Sequence, residues 1–236
     1  MAGITNAEFC LKLIPYGFNM VTLGGYNTDK STIAAGKKIL ARGRSEFDIN
    51  EEEILLTIEN EAKKVKENWK GILSINIRSI SPDPVIEISK LKNVDVVEIN
   101  AHCRQKEITE LGCGQALLSQ SDFLEEFIQE VVKKSKSLLS VKIRANVPFV
   151  DEVKVARIIE NCGSDYLHVD AMKPGFKEAD LEIIKKIRKN TNIFIIGNNS
   201  ITDLISARKM IDTGAHGISI ARAAIGGYLN FDLSKI

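Results

Sequence analysis

The sequence predicts an α/β fold, a (β/α)8 TIM barrel forming one domain over residues 1–236, on three observations. Short β-rich runs alternate with amphipathic helical stretches along nearly the whole chain, the pattern of a parallel sheet covered on both faces. A length of 236 residues suits one barrel of this kind. Several β runs end in polar residues spaced two apart, and the last two open into small residues and glycines, as strands do at the ligand-binding mouth of such a barrel.

In chain order, Met1-Ala-Gly-Ile-Thr5 has the look of a loop that follows a strand. The barrel's first strand is therefore expected to be very short or to lie upstream of residue 1. Residues 18–25 read as the first visible strand, and residues 26–49 as a long polar, basic insertion, a lid or substrate loop at the catalytic face. A charged amphipathic helix follows at 50–68, then a strand at 72–79, a helix at 82–91 and a strand at 94–101. Residues 122–137 read as a helix with Asp122 as N-cap. Further strands are expected at 140–145, 165–171, 193–197 and 217–222, making seven in all. Helices at 150–161, 178–190 and 202–213 separate them, with Ser200 and Thr202 offering hydroxyl caps to the last.

The composition narrows the function classes. Apolar residues at 44% can fill a core, and a formal charge of +1 gives no global reason to bind nucleic acid. No run of about 20 apolar residues and no signal-peptide pattern is present, so no membrane is expected as a partner. Four widely spaced cysteines without a C-x-x-C pair fit a reduced, cytoplasmic setting. The Cys and His residues lack zinc-ligand spacing, so no metal is expected.

Three features carry chemistry. The first is the pair of runs Asn192-Ile-Phe-Ile-Ile-Gly-Asn-Asn-Ser-Ile201 and Gly217-Ile-Ser-Ile-Ala-Arg-Ala-Ala-Ile-Gly-Gly227. Two adjacent strand ends exposing backbone N–H groups around Gly197, Asn198, Asn199, Ala221 and Arg222 make a phosphate cradle. The second is a set of polar pairs on four strands: Asn76 and Arg78, Glu98 and Asn100, Lys142 and Arg144, His168 and Asp170. Strand alternation puts each pair on one face. They gather at the barrel mouth as a ligand site, interlock as buried salt bridges, or face outward if the phase is the other one. The third is Cys103, in a catalytic-face loop with His102, Arg104 and Lys106 close in sequence; such cations favour thiolate, and a partly exposed Cys there serves as acid or nucleophile. Cys10, Cys113 and Cys162 read as small buried hydrophobes.

With these residues in place, the chain resembles the FMN-binding TIM barrels of the tRNA-dihydrouridine synthase group, relatives of the dihydroorotate dehydrogenases. Met1-Ala-Gly-Ile-Thr5 with Phe9 is similar to that family's P-M-A-G-V-T-D-x-x-F, whose backbone, here at Ala2 and Gly3, borders the flavin. Glu98-Ile-Asn-Ala-His-Cys103 resembles D-I-N-x-G-C-P, with Cys103 in the place of the catalytic acid. Gly112-Cys-Gly-Gln-Ala-Leu-Leu118 is similar to G-x-G-A-x-L-L, and Val141-Lys-Ile-Arg144 to V-K-x-R, whose lysine contacts the flavin ring. The two C-terminal runs resemble G-N-G-D-I and G-V-M-I-G-R-G, which hold the FMN phosphate.

The resemblance implies FMN as cofactor, Cys103 and Lys142 as catalytic residues, and Asn76, Asn100, Lys142, His168 and Asp170 around the flavin. The implied reaction is oxidation–reduction of a uracil-like or other conjugated C=C in a small-molecule or nucleobase substrate.

The chain also departs from the pattern. His102 and Arg104 replace the Gly and Pro beside the cysteine, and Asn76 replaces a flavin-contacting Gln. Asp170 stands at the His of H-G-R-T, and Asn199 replaces a phosphate-loop Gly, a position where Asn tolerates the turn. The chain ends just after the phosphate site, where the family adds a helical domain that helps grip tRNA. The expectation is therefore a flavin site with weak or no tRNA binding; a homo-oligomer is left open. Two other readings use the same residues. One is a flavin-free phosphate-binding isomerase or synthase, with Asp170, Glu98 or Lys142 as acid–base groups. The other is a non-catalytic relative that keeps the fold for binding or assembly.

Overall fold

The strand cores are runs such as Ile75-Asn-Ile77, Val97-Glu-Ile99 and Leu167-His-Val169, in which every second residue is an aliphatic with almost no exposure. Residues that alternate this way pack one face against helices and turn the other inward. The computed structural model describes residues 1–236. It contains one parallel sheet in chain order: β1 (Met20–Asn27), β2 (Ile72–Arg78), β3 (Val96–Ala101), β4 (Leu138–Arg144), β5 (Tyr166–Asp170), β6 (Phe194–Asn198) and β7 (Gly217–Ser219). The helices are α1 (Ala7–Leu13), α2 (Lys30–Ala41), α3 (Ile54–Asn68), α4 (Asp83–Ser89), α5 (Lys106–Thr109), α6 (Ser121–Lys134), α7 (Glu152–Asn161), α8 (Leu181–Asn190) and α9 (Leu204–Ile211).

Helix α3 shows why these segments dock. Ile54, Ile58, Ala62 and Val65 fall on one stripe and are all buried. Each large aliphatic so placed contributes about 1.5–3 kcal/mol over an exposed one. One apolar cluster of 44 buried residues runs between the sheet and its helices. A small cluster of Leu13, Ala224 and Leu229, flanked by Phe9, Phe18 and Phe231, joins the first helix to the segment after β7. Side-chain packing thus joins the segments that flank β1 and β7, the two edge strands of the seven-stranded sheet.

Several expectations are corrected. Residues 26–49 are not one loop: β1 runs to Asn27, and Lys30–Ala41 is a helix started by an Asp29–Thr32 capping box. Gly36 obscured it, and that glycine is needed because a side chain there would strike the Asn27 amide. Only residues 42–50 remain irregular. Helix α6 begins at Ser121 after Gln120, so Asp122 is a first-turn acid at the helix's positive end rather than the cap. Helix α9 is capped by Asp203, whose carboxylate accepts from the Ser206 N–H, and not by Ser200 or Thr202. The last strand stops at Ser219, and Arg222–Ala224 is a 3-10 turn. Before β1, Asn6 caps α1, a helix absent from the sequence reading, and Thr5 forms an antiparallel bridge with Gly24.

Candidate functional site

The strand phase removes one of the three readings of the polar pairs, the outward-facing one. Ile75, Ile77, Val97, Ile99, Val141 and Ile143 belong to the core cluster, so the residues between them point inward. There Asn76, Arg78, Glu98, Asn100, Lys142, Arg144, His168 and Asp170 line a cavity of about 2260 Å³. Every expected site residue lines this cavity except Gly3 and Gly197. Gly3, at φ +70, abuts the backbone of Ser45 and Glu46, and Gly197 lies against Met210 of α9. Both glycines serve close packing beside the site.

Glu98 is the hub of the inner layer. Its Oε1 accepts from Asn76 Nδ2 at 2.7 Å; its Oε2 accepts from Ser140 Oγ at 2.9 Å and meets His168 Nδ1 at 2.8 Å. Burial alone would raise this carboxyl, but His168, Lys142 and Asn76 outweigh it and hold it well below the usual carboxylate range. Burial, followed by Lys142, pushes His168 down, so the ring is neutral and donates from Nδ1 to the carboxylate. Its Nε2 is buried with no partner in the protein. Asn100 Nδ2 donates to Asn76 Oδ1 at 2.8 Å and continues the layer. Lys142 sits between these groups, paired with Asn100 and His168 in strand register, and its Nζ forms no hydrogen bond or ion pair with the protein.

Asn100 also shapes the cysteine loop. Its Oδ1 accepts from the N–H groups of His102 at 3.2 Å and Cys103 at 2.9 Å. Gly114, at φ +61, lies so close to the Cys103 carbonyl that a side chain would collide with it. The cation at the thiol is not one of the three sequence neighbours. It is Arg78 of β2, whose Nη1 lies 3.8 Å from Cys103 Sγ. Arg78 is 2% exposed, pairs with Glu46 and donates to the Gly25 carbonyl at 2.9 Å. Lys106 instead pairs with Glu110 on the surface. Glu46 is the site residue that sequence reading missed; the signal was Arg78, a cation inside an apolar strand that requires a carboxylate. The other three cysteines are buried, and burial pushes the Cys10 and Cys113 thiols up to about 12.

A second network crosses the mouth. Asp170 Oδ2 meets His102 Nε2 at 2.8 Å and Arg144 Nη2 at 3.2 Å, and its Oδ1 accepts from Asn199 Nδ2 at 2.5 Å. His102 and Arg144 overcome the effect of burial and hold this carboxyl well below the usual range. Arg222 Nη2 reaches Asn199 Oδ1 at 3.4 Å, extending the network to the cradle. Asn199 and Ser200 both have positive φ, 103° and 54°, so the turn survives without glycine. The N–H groups of Asn199, Ser200, Ala221, Arg222 and Ala223 find no acceptor in the backbone, leaving donors for an anion.

Fold and cavity define a barrel protein of the (β/α)8 plan with a polar-lined cavity reaching the C-terminal ends of its strands. The chain belongs to the dihydrouridine synthase (Dus) family, which it matches over residues 49–228. It is 37% identical over 235 residues to an uncharacterized protein of Methanocaldococcus jannaschii, covering 96% of this chain and 88% of that one. It is 30% identical to tRNA-dihydrouridine synthase B of Proteus vulgaris over 77% of this chain, and the match spans 59% of that relative's length. Two solved structures share the fold. A ligand-free type DHODH from Eimeria tenella has TM-score 0.57 and 18% identity, covering 73% of this chain and 62% of that one. The N-acetylmannosamine-6-phosphate 2-epimerase from Clostridium perfringens has TM-score 0.52 and 14% identity, covering 87% and 86%. No helix is long and apolar enough to cross a membrane.

Proposed function

We propose that this protein is an FMN-dependent oxidoreductase of the dihydrouridine synthase type, acting on a uracil-like or other conjugated C=C. The observation that carries the reading is a set of polar groups without protein partners in one cavity beside Cys103. They are Lys142 Nζ, His168 Nε2 and the free N–H groups around Asn199 and Ala221. A ligand with an anionic end and a polar ring fits these groups, and FMN is of that kind. Bound FMN would supply the hydride exchange with the substrate carbon.

The chain's own residues do the rest. Arg222 and the cradle N–H groups hold the phosphate by charge and hydrogen bonding. Lys142 offsets negative charge at the ring edge, and Glu98 with Asn76 keeps that wall of the cavity rigid. Cys103, fixed through Asn100, holds or releases the proton at the carbon next to the one that exchanges hydride.

The test is the purified protein's colour. A flavin band near about 450 nm is expected, and a colourless chain that fails to take up added FMN overturns the reading. Cys103→Ala should keep the flavin and slow its reoxidation by substrate. A gel shift with tRNA addresses the partner separately, with weak binding or none expected.

A further inference from the structure

His102 is fixed at three points. Its N–H donates to Asn100 Oδ1, its carbonyl accepts from Arg144 Nε at 3.2 Å, and its ring Nε2 meets Asp170 Oδ2 at 2.8 Å. The carboxylate cannot swing away, because Arg144 and Asn199 hold its two oxygens. The ring lines the cavity, its side chain 26% exposed, and Nδ1 has no partner in the protein. The ring is thus locked by one nitrogen, and the other is left free at the cavity.

We propose that His102 is the substrate-facing imidazole, its Nδ1 accepting a hydrogen bond from an imide N–H of the ligand. This deepens the reductase reading of the cavity and rests on it. An ionised Asp170 accepts from Nε2, so the proton sits there and the neutral ring presents a lone pair at Nδ1. The charged groups acting on the ring are Asp170 of β5 and Lys142 and Arg144 of β4, while Cys103 and Arg104, next in the loop, line the same cavity. Lys142, Arg104 and Arg144 are donors only, so His102 supplies the neutral acceptor among them. A cyclic imide offers an N–H donor to the lone pair at Nδ1, between two carbonyls that can only accept. Burial pushes the ring down to about 4 against its bond to Asp170, so Nδ1 remains an acceptor at neutral pH.

The experiment uses uracil and 3-methyluracil, which lacks that N–H, titrated against FMN-loaded protein and followed by the flavin spectrum. Wild type is expected to bind uracil at least about tenfold more tightly than 3-methyluracil, a difference of one good hydrogen bond. His102→Ala should reduce that ratio to about two or less while retaining FMN. No binding of uracil, or the same preference in His102→Ala, overturns the proposal.

A chain that takes up no FMN overturns the reductase reading instead. In that case the imidazole contact is read from nitrogen-15 spectra of histidine-labelled protein with uracil alone. The chain has only three histidines, and His102→Ala identifies the ring. A His102 Nδ1 resonance that uracil does not move overturns the contact.

Discussion

Removing the carboxylate of Glu46 tests how the cysteine loop is held. Arg78 is 2% exposed and the Glu46 side chain 4%, so the pair is shielded from water. In Glu46→Ala the guanidinium keeps its bond to the Gly25 carbonyl but loses its counter-charge, and its Nε already lacks a partner. Breaking a buried pair by deleting one member costs about 3–5 kcal/mol. For a chain of 236 residues, each kcal/mol moves Tm by about 2–4 °C, so a fall of roughly 10 °C is expected. Urea unfolding followed by the single tryptophan, Trp69, which packs on the core, measures the same loss. Adding Arg78→Met removes the stranded charge, and the double variant should recover at least about 2 kcal/mol over Glu46→Ala. A Glu46→Ala cost below about 1 kcal/mol, or losses that simply add in the double variant, would refute the buried-pair argument.

Three further outcomes follow from the geometry. Arg222→Ala removes a charge-assisted contact worth about 1.5–3 kcal/mol, so FMN affinity by equilibrium dialysis should fall by about 10- to 100-fold with folding unchanged. Gly114→Ala and Gly43→Ala both place a methyl on a left-handed backbone, but only the first meets the Cys103 carbonyl, the second having open space. The urea midpoint should therefore fall further for Gly114→Ala, and equal losses would exclude the loop clash. The third concerns pH. His102 is held at about 4, so between there and the ordinary imidazole range the unfolded chain binds a proton that the folded chain does not. Stability contributed by the neutral ring is fully present above about pH 6.5 and is lost as pH falls toward 4, on the order of 3 kcal/mol. His102→Gln should flatten the urea midpoint over that window, and an unchanged slope would count against a ring held neutral by the fold.

The strands were readable because Ile75, Ile77, Val97 and Ile99 advertise alternation, and α3 because its apolar residues recur on a helical stripe. Helix α2 was hidden: a run of lysines and small residues with a glycine at its centre carries little apolar period, and only its packing against β1 explains Gly36. At the site, residue types and spacing indicated Cys103, Lys142 and the C-terminal cradle as positions. Their partners were not legible, because Arg78 and Cys103 are 25 residues apart and Asp170 and Asn199 are 29 apart.

The chain's own pattern determined the alternation of strands and helices, the polar pairs sharing one face of each strand and the glycines of the last two strand ends, since each is a local property of period or backbone freedom. Tertiary structure alone decided that Arg78 rather than Arg104 or Lys106 meets the thiol, and that His102 turns to Asp170. It also decided that Glu98 and His168 form one buried pair. The physical reason is that a buried charged or polar group takes the nearest complementary partner in space, and the barrel's curvature, not the order of the chain, sets which group that is.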